Sequence, residues 1–231
     1  YGLPAAFWLH YRRIAALEKP GAADVAALVA FVAAPDPRVV APALEALATI
    51  KRDDARSAAV KALGWKGPYH VDADHFGLKS VDNFIGGSDF FTLDVADFTG
   101  QPSPEAEIQT FVARHGKYAP TLKIPGIDRI LSISTQAIAD IARKYLLAVK
   151  EAGAIYRHVE AAKGRDTFIT EVSIDETDKP QTPVELFFIL AAVADQKIPA
   201  QTIAPKFTGR FNKGVDYVGD VVQFEKEFNE D

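Results

Sequence analysis

The fold is decided by a stretch that reads TFITEVSIDETDKPQTPVELFFILAAVADQ from Thr167 to Gln196. Its first nine residues, Thr167–Asp175, form an extended run that ends in charged side chains, which is typical of a β-strand entering a loop. Thr182 then has the character of an N-cap for a helix over Pro183–Gln196, with proline at the first helical position. Strand, polar loop and helix in this order indicate an α/β protein.

The same form recurs elsewhere in the chain. Further extended runs span Tyr69–His75, Asp89–Val95 and Ala200–Lys206, and helical patterns span Glu105–His115 and Ser134–Ala152. Strands that alternate with helices predict a parallel sheet with right-handed crossovers. Functional residues of such folds gather at the carboxyl ends of the strands, both in open sheets and in (β/α)8 barrels. Four strands are too few to close a barrel.

The composition changes sharply near Lys66. Residues 1–66 contain 19 alanines, whereas the remaining 165 residues contain 18. Apolar residues recur at helical spacing in four segments of this first part, 7–17, 25–32, 39–50 and 55–63. We therefore predict an Ala-rich helical segment over 1–66 and a (β/α) catalytic domain over 67–231. A pair of HEAT-type repeats is the alternative for the helical part, although such arrays normally need three or more units.

Charge and composition exclude several classes of protein. The 231 residues carry a net charge of -5 and contain no cysteine, which excludes disulfides and thiolate metal sites. The acidic balance disfavours nucleic-acid binding, and the longest apolar runs are too short to cross a bilayer. Since no secretion signal is present, we expect a cytoplasmic protein. The chain does not begin with methionine, so we expect a portion of a longer protein.

The densest chemical signal is the run His70-Val71-Asp72-Ala73-Asp74-His75. On a regular strand Asp72 and Asp74 share one face, while His75 falls on the other face or enters the following loop. Their oxygen and nitrogen donors suit a divalent ion such as Zn, Ni, Mn or Co. The alternative is that Asp74 caps a turn and His75 is an ordinary hydrogen-bonded loop residue.

A second acidic group ends the strand quoted first. Glu171 and Asp175 alternate onto one face, and Glu176 continues into the loop. A buried row of carboxylates repels itself unless a cation or protons neutralise it, so the row indicates either a metal site or a solvent-exposed edge. Asp94, which ends the run Asp89–Val95, forms a weaker third group.

A basic segment, Lys206–Gly214, follows the last extended run and reads KFTGRFNKG. Its cations are Lys206, Arg210 and Lys213, and an arginine can hold a carboxylate through two parallel hydrogen bonds. An acidic metal cluster opposite this segment would suit a small polyhydroxy acid, with hydroxyls on the ion and the carboxylate on the cations. The alternative is an exposed basic loop without a ligand.

Several long strings in the sequence resemble the tagaturonate epimerase family, over about residues 55–231. The resemblance is specific because the strings agree in order along the chain. They are GWKGP from Gly64, VDADH from Val71, SDFFTLDVADF from Ser88, EVSIDET from Glu171, PQTPVEL from Pro180 and QTIAPKFTGRFNKGVDY from Gln201.

The resemblance implies an enzyme of TIM-barrel-like (β/α) architecture, incomplete in this chain, that interconverts D-tagaturonate and D-fructuronate with a divalent metal. Members of this family are much longer than 231 residues. The hypothesis that follows has three parts. Metal ligands would be Asp74, His75 and Glu171; catalytic residues would be Asp175, Glu176, Lys206 and Asp94; and substrate contacts would come from Asp72, Gln201, Arg210 and Lys213.

Two other functions stay open at this point. The same cluster would serve a metal-dependent sugar-acid aldolase or ketose isomerase, and the Ala-rich part alone would suit a non-catalytic helical scaffold. The sequence contains no G-x-G-x-x-G motif or P-loop, so a nucleotide cofactor has no support. We expect a small sugar acid as the partner, with no nucleic acid and no membrane, and leave open whether the chain assembles as a homo-oligomer.

Overall fold

The structure of the chain is a computed structural model. It describes residues 21–34, 36, 39–40, 42–43, 46–47, 50, 60–61, 64–175, 177, 179–211 and 215–230. The chain divides into two compact units. Unit 1 comprises Tyr1–Val71 and Asp82–Ser88, and unit 2 comprises Asp72–Val81 and Asp89–Asp231.

Unit 1 is built on the helical periodicity of its apolar residues. Helix α1 spans Ala22–Val32 and begins after Gly21, whose backbone N–H donates to Asp24 Oδ2 at 2.8 Å. The described residues between 39 and 47 are also helical. The predicted helix over 7–17 and most of the one over 55–63 lie outside the described residues. Leucine, valine and isoleucine side chains form the buried core: Val25, Leu28, Val32, Val39, Leu47 and Ile50.

Unit 2 contains the four predicted strands as one parallel sheet. They are β1 (Asp72–Phe76), β2 (Phe90–Asp94), β5 (Ile169–Ser173) and β6 (Thr202–Ala204). The sheet order is β1-β2-β5-β6, and all three neighbouring pairs are parallel. A short antiparallel pair, β3 (Thr121–Leu122) and β4 (Leu131–Ser132), lies between β2 and β5 in the chain. The predicted parallel α/β architecture is thus confirmed for the described residues.

Four helices accompany this sheet in the described part of unit 2. They are α2 (Glu105–His115), α3 (Thr135–Lys163), α4 (Pro183–Asp195) and α5 (Val221–Glu230). Helix α3 packs against α2, α4 and strand β2. Helix α4 begins as the sequence predicts, because Thr182 Oγ1 accepts from the Glu185 N–H while the Glu185 carboxylate accepts from the Thr182 N–H. None of the helices described is long and apolar enough to cross a membrane.

The two faces of the sheet differ in chemistry. Phe91, Leu93 and Val172 alternate onto a buried face, together with Ala73, and are at most 1% exposed. Thr92 and Glu171 are register partners and lie on the opposite face. The alternation therefore leaves the carboxylates of the central strands, Asp94 and Glu171, on a single surface of the sheet.

The structure departs from the sequence predictions at three elements. Helix α3 runs 11 residues past Ala152, because Gly153 is buried within it and the helix ends only before Gly164, at φ 92. The β3–β4 pair has strands of two residues, too short for a recognisable pattern. Helix α5 is amphipathic, but the sequence analysis assigned no element after the basic segment.

Candidate active site

Four of the predicted site residues lie at or just after the ends of parallel strands, so they meet at the carboxyl edge of the sheet. Asp74 and His75 lie near the end of β1, Asp94 ends β2, and Asp175 follows β5 by two residues. The basic segment follows β6. Because side chains at this edge come from all four strands, the sheet can place groups of opposite charge around one volume.

A bulge at the end of β1 corrects the predicted faces of Asp74 and His75. His75 has a left-handed backbone with φ 53, and the register shifts between Ala73 and Phe76. The extra residue turns Phe76 into the core, where it is 3% exposed, and leaves Asp74 and His75 together outside it. The expectation that His75 leaves the face of Asp74 or enters the loop is wrong, because strict alternation fails at a bulge.

The His75 ring connects the ends of two strands that are not neighbours. Its Nδ1 donates to Asp74 Oδ1 at 2.5 Å, and its Nε2 lies 3.7 Å from Asp175 Oδ1. Asp175 is in turn held by Ser173, whose hydroxyl donates to the same Oδ1 at 2.6 Å. The imidazole therefore lies between a carboxylate of β1 and a carboxylate that follows β5.

These carboxylates set the protonation of the imidazole. Burial on its own would lower the pKa of His75, but the hydrogen bond to Asp74 and the charges of Asp74, Asp175 and Asp94 outweigh it and raise that pKa above its ordinary value of 6.5. The carboxyl edge therefore has a negative potential that attracts a cation.

A second group of polar side chains lies on the polar face of the sheet, farther from its carboxyl edge than His75 and Asp175. The Thr92 hydroxyl is 3.2 Å from Asp72 Oδ1, 3.3 Å from Asp72 Oδ2 and 3.3 Å from Glu171 Oε1. One hydroxyl hydrogen cannot serve three acceptors, so the two carboxylates compete for it. Burial, together with the charges of Asp74 and Glu171, raises the pKa of Asp72 although Thr92 and His75 oppose the rise.

The remaining predicted acids differ in how they are held. Asp94 Oδ1 accepts from the N–H of Ala96, the first residue of a short helical turn, at 3.1 Å, which fixes this carboxylate at the edge. Glu176 lies outside the described residues, and its predicted catalytic role stays a prediction.

A cavity of about 480 Å³ joins the acidic edge to the basic segment. Asp175 contributes the acidic side of its lining, and Lys206 and Arg210 contribute the basic side. The backbone of Arg210 is anchored, because its N–H donates to Val218 O at 2.9 Å. Lys213 lies outside the described residues. The apolar wall of the cavity consists of the rings of Phe207, Phe211, Phe224 and Phe228.

Gln201 lies at the other end of the sheet. It precedes β6, and its side-chain oxygen accepts from the Thr170 N–H at 2.8 Å near the start of β5. This places Gln201 at the amino end of the strands, whereas Lys206 lies at the carboxyl end. Its predicted contact with substrate stays a prediction.

Two residues of this region, Thr92 and Gln181, were missed by sequence reasoning. Thr92 is buried and bridges Asp72 and Glu171, whereas Ser173, also buried, holds Asp175 alone. Gln181, 2% exposed, connects the segment after β5 to Lys206. The sequence gives only weak signals for these roles, namely a hydroxyl residue inside an apolar strand (Thr92) and an amide residue just before a helix cap (Gln181).

The donor chemistry of the edge fits part of a divalent-metal site. Because the Nδ1–H of His75 is hydrogen-bonded to Asp74, Nε2 is the ring nitrogen whose electron pair can coordinate a metal. This carboxylate–histidine arrangement is common around metals. Two ligands at about 2.1 Å from one ion stand roughly 3 to 4 Å apart, and the spacing of 3.7 Å between His75 Nε2 and Asp175 Oδ1 agrees. Among the described residues, no three His, Asp or Glu side chains are gathered closely enough to hold an ion. The ligand roles of Asp74 and Glu171 stay predictions.

Fold and site together define an α/β protein with a polar site at the carboxyl edge of a parallel sheet. The family model for tagaturonate epimerase matches residues 51–231, and the chain therefore belongs to the tagaturonate epimerase family. A tagaturonate/fructuronate epimerase from Thermotoga maritima is 27% identical over 180 residues, which cover 71% of this chain and 36% of that protein.

Solved structures show the same fold. The native crystal structure of the fructuronate-tagaturonate epimerase UxaE from Cohnella laeviribosi has a TM-score of 0.56 at 23% identity, covering 75% of this chain and 38% of that one. Its complex with one glycerol has a TM-score of 0.58 at 21% identity, covering 95% and 45%. The chain spans less than half the length of each of these relatives.

Proposed function

We propose that the protein interconverts D-tagaturonate and D-fructuronate as an epimerase dependent on a divalent metal, with a TIM-barrel-like architecture in its full length. The observation that carries this proposal is the convergence of His75 and Asp175 at a cavity whose other lining includes Lys206 and Arg210. Membership of the tagaturonate epimerase family supports the choice of substrate.

The chemistry of the proposed reaction restricts the mechanism. The carbon that is inverted lies β to the ketone, so simple enolisation cannot remove its hydrogen. In a retro-aldol route, the hydroxyl on this carbon loses its proton and the bond to the α carbon breaks, with the electron pair moving into an enediolate. The aldehyde then rotates, and addition from the other face re-forms the bond, so no net oxidant is needed.

The residues have complementary roles in this route. Asp175 lines the cavity beside both cations and is the carboxylate we assign to take and return the hydroxyl proton. Arg210 holds the substrate carboxylate, and Lys206 polarises the oxygen that gains charge. Asp94 and Glu176 are assigned to proton transfer at the edge.

A metal would be held by His75 Nε2 with the predicted ligands Asp74 and Glu171, and Asp175, whose Oδ1 lies 3.7 Å from that nitrogen, is the alternative ligand if it is not the base. A divalent ion, when bound, supplies Lewis-acid stabilisation of negative charge. Asp74 also orients the His75 ring, because its bond to Nδ1 fixes which nitrogen carries the proton. The predicted substrate contacts of Asp72 and Lys213 complete the proposal.

The test is a turnover assay on the purified full-length protein, before and after chelation, with metal content measured in the same samples. We expect each six-carbon uronate to be converted into the other, with activity lost on chelation and restored by adding the metal back. Release of three-carbon fragments would indicate an aldolase instead. Absence of turnover with both uronates, in metal-replete protein, would contradict the proposed function.

A further inference from the structure

We propose that Gln181 is a positioning residue that holds the Asp175 segment and the Lys206 segment of the cavity in one fixed arrangement. This inference rests on the proposed function, because it assigns Asp175 and Lys206 to the same reaction. Gln181 is 2% exposed and lies in the loop just before Thr182, the N-cap of helix α4. Its side chain does not line the cavity, so it acts through other residues.

The amide of Gln181 bonds to both sides of the Asp175 segment. Its Nε2 donates to Thr177 Oγ1 at 3.0 Å and approaches Ile174 O at 3.4 Å. Ile174 and Thr177 bracket Asp175 in sequence. Gln181 therefore contacts the Asp175 segment at Ile174 O and at the Thr177 hydroxyl, while Asp175 itself bonds to Ser173 and lies near His75.

The other end of the same amide holds Lys206. Gln181 Oε1 accepts a short hydrogen bond from the Lys206 N–H, and the Gln181 N–H donates to Lys206 O at 3.2 Å. Both backbone groups of Lys206 are thereby fixed, four residues before Arg210. One side chain thus connects the segment that carries the proposed base to the segment that carries the proposed anion-binding cations.

This connection needs an amide of this length. The glutamine amide presents an NH₂ donor and an oxygen acceptor at its tip, and a buried group that loses its partner costs free energy. Glutamate keeps an acceptor for the Lys206 N–H but cannot donate to Ile174 O. Leucine removes both functions. Gln181→Glu therefore tests the side-chain contact with the 174–177 segment alone, whereas Gln181→Leu tests the side-chain contacts with both segments.

The experiment compares Gln181→Glu and Gln181→Leu with the wild type by amide hydrogen exchange and by steady-state kinetics on the full-length protein. We expect Gln181→Glu to raise exchange mainly in peptides covering 174–177 and to lower kcat by about 10- to 100-fold with a smaller change in KM. Gln181→Leu should raise exchange at 174–177 and at 205–210 together, and should also raise KM, because the cations lose their anchor.

Two further variants separate positioning from stability. Thr177→Val removes one acceptor of the Gln181 amide at a half-buried position and should reproduce the loss in kcat in a milder form, even if a buried carboxylate at 181 prevents folding. Ile138→Val, a buried side chain on α3, lowers stability through lost packing but should leave kcat and KM unchanged. Gln196→Leu is the matched amide control at the opposite end of helix α4.

The outcomes are distinct. Unchanged exchange in both segments, or kinetic losses equal to those of Ile138→Val, would overturn the role of Gln181. If the wild type turned over neither uronate, the proposed function would fall, while the exchange data would still decide whether Gln181 joins the two segments.

Discussion

Among the described residues of unit 2, several carboxylates on the helices have lysine or arginine partners, whereas four at the carboxyl edge of the sheet or on its polar face do not. On the helices, Glu107, Glu185 and Asp195 each lie within 3 Å of a cation, at 2.6 Å from Lys150 Nζ, 2.8 Å from Lys144 Nζ and 2.9 Å from Arg114 Nη1. At the edge and on the polar face below it, the described residues provide no lysine or arginine within 4 Å of Asp72, Asp94, Glu171 or Asp175, and His75 is the basic side chain they place within 4 Å of Asp175.

The pKa shifts follow this difference. Burial alone would raise the pKa of Glu185, but its bonds to Lys144 and Thr182 lower it instead. At Asp72 burial dominates, and the pKa rises. The ionised form of Glu185 therefore stabilises the fold, whereas the ionised form of Asp72 opposes it. A carboxylate whose negative charge has no positive partner in the protein is a candidate to bind a cation, here the proposed metal ion.

The largest expected effect comes from removing the imidazole at the edge. His75→Ala should reduce bound metal to background and lower kcat/KM by about 10³-fold or more, because Lewis-acid stabilisation contributes several kcal/mol. Metal analysis and turnover are measured on the same preparation. Full metal content in the variant would end the assignment of His75 as a ligand.

The next effect concerns the basic side of the cavity. Arg210→Ala should raise KM by about 10- to 100-fold with a smaller change in kcat, since a charge-assisted hydrogen bond contributes about 1.5–3 kcal/mol. Arg210→Lys should recover part of the loss by restoring charge without the bidentate geometry. Arg143→Ala, on the exposed side of α3, serves as the control, and an equal KM for all variants would remove Arg210 from substrate binding.

A smaller effect is expected on the helices, and it should appear in stability. Glu185→Gln weakens the bonds from Lys144 Nζ and from Tyr145 Oη, at 2.8 and 3.1 Å. We expect a loss of about 1–2 kcal/mol, and hence a Tm lower by about 2–8 °C in a thermal unfolding experiment. Arg143→Ala breaks two exposed ion pairs, with Asp140 and Glu105, and should cost less than about 1 kcal/mol. Equal losses in the two variants would contradict the ranking.

The smallest effect is the pH dependence of that stability. The folded pKa of Glu185 lies below its ordinary value of 4.5, so the unfolded chain takes up its proton first as the pH falls. The stabilisation is complete above pH 4.5 and is lost as the pH drops through the folded pKa. Chemical unfolding between pH 3 and 6 should therefore show a shallower acid loss in Glu185→Gln than in the wild type, whereas parallel curves would count against it.

Much of the fold could be predicted because it follows from local patterns. The bounds of α2 match the Glu105–His115 pattern, and the start of α4 follows from the Thr182 cap and the proline after it. The sheet could be predicted as parallel because helical patterns separate its strands. Helix α3 was predicted too short, since a glycine that ends helices elsewhere is tolerated at 153 by packing.

The residue types of the site could be predicted from the sequence, but the contacts between those residues could be predicted less well. The runs ending β1 and β5 pointed to Asp74, His75 and Asp175, because charges collect where apolar strands end. The contact between His75 and Asp175 depends on a bulge, and a bulge changes the face of a side chain without changing composition. Gln181 acts through bonds to three other loop positions, which no single-sequence pattern encodes.

The left-handed backbone at His75 has a consequence for how this position tolerates change. Positive φ is several-fold enriched in asparagine, aspartate and histidine and is costly for β-branched residues. The left-handed backbone at position 75 and the proposed metal-ligand role therefore favour overlapping sets of residue types. In a saturation library at 75, valine and isoleucine should be depleted among folded clones, while asparagine should survive expression and fail only in catalysis.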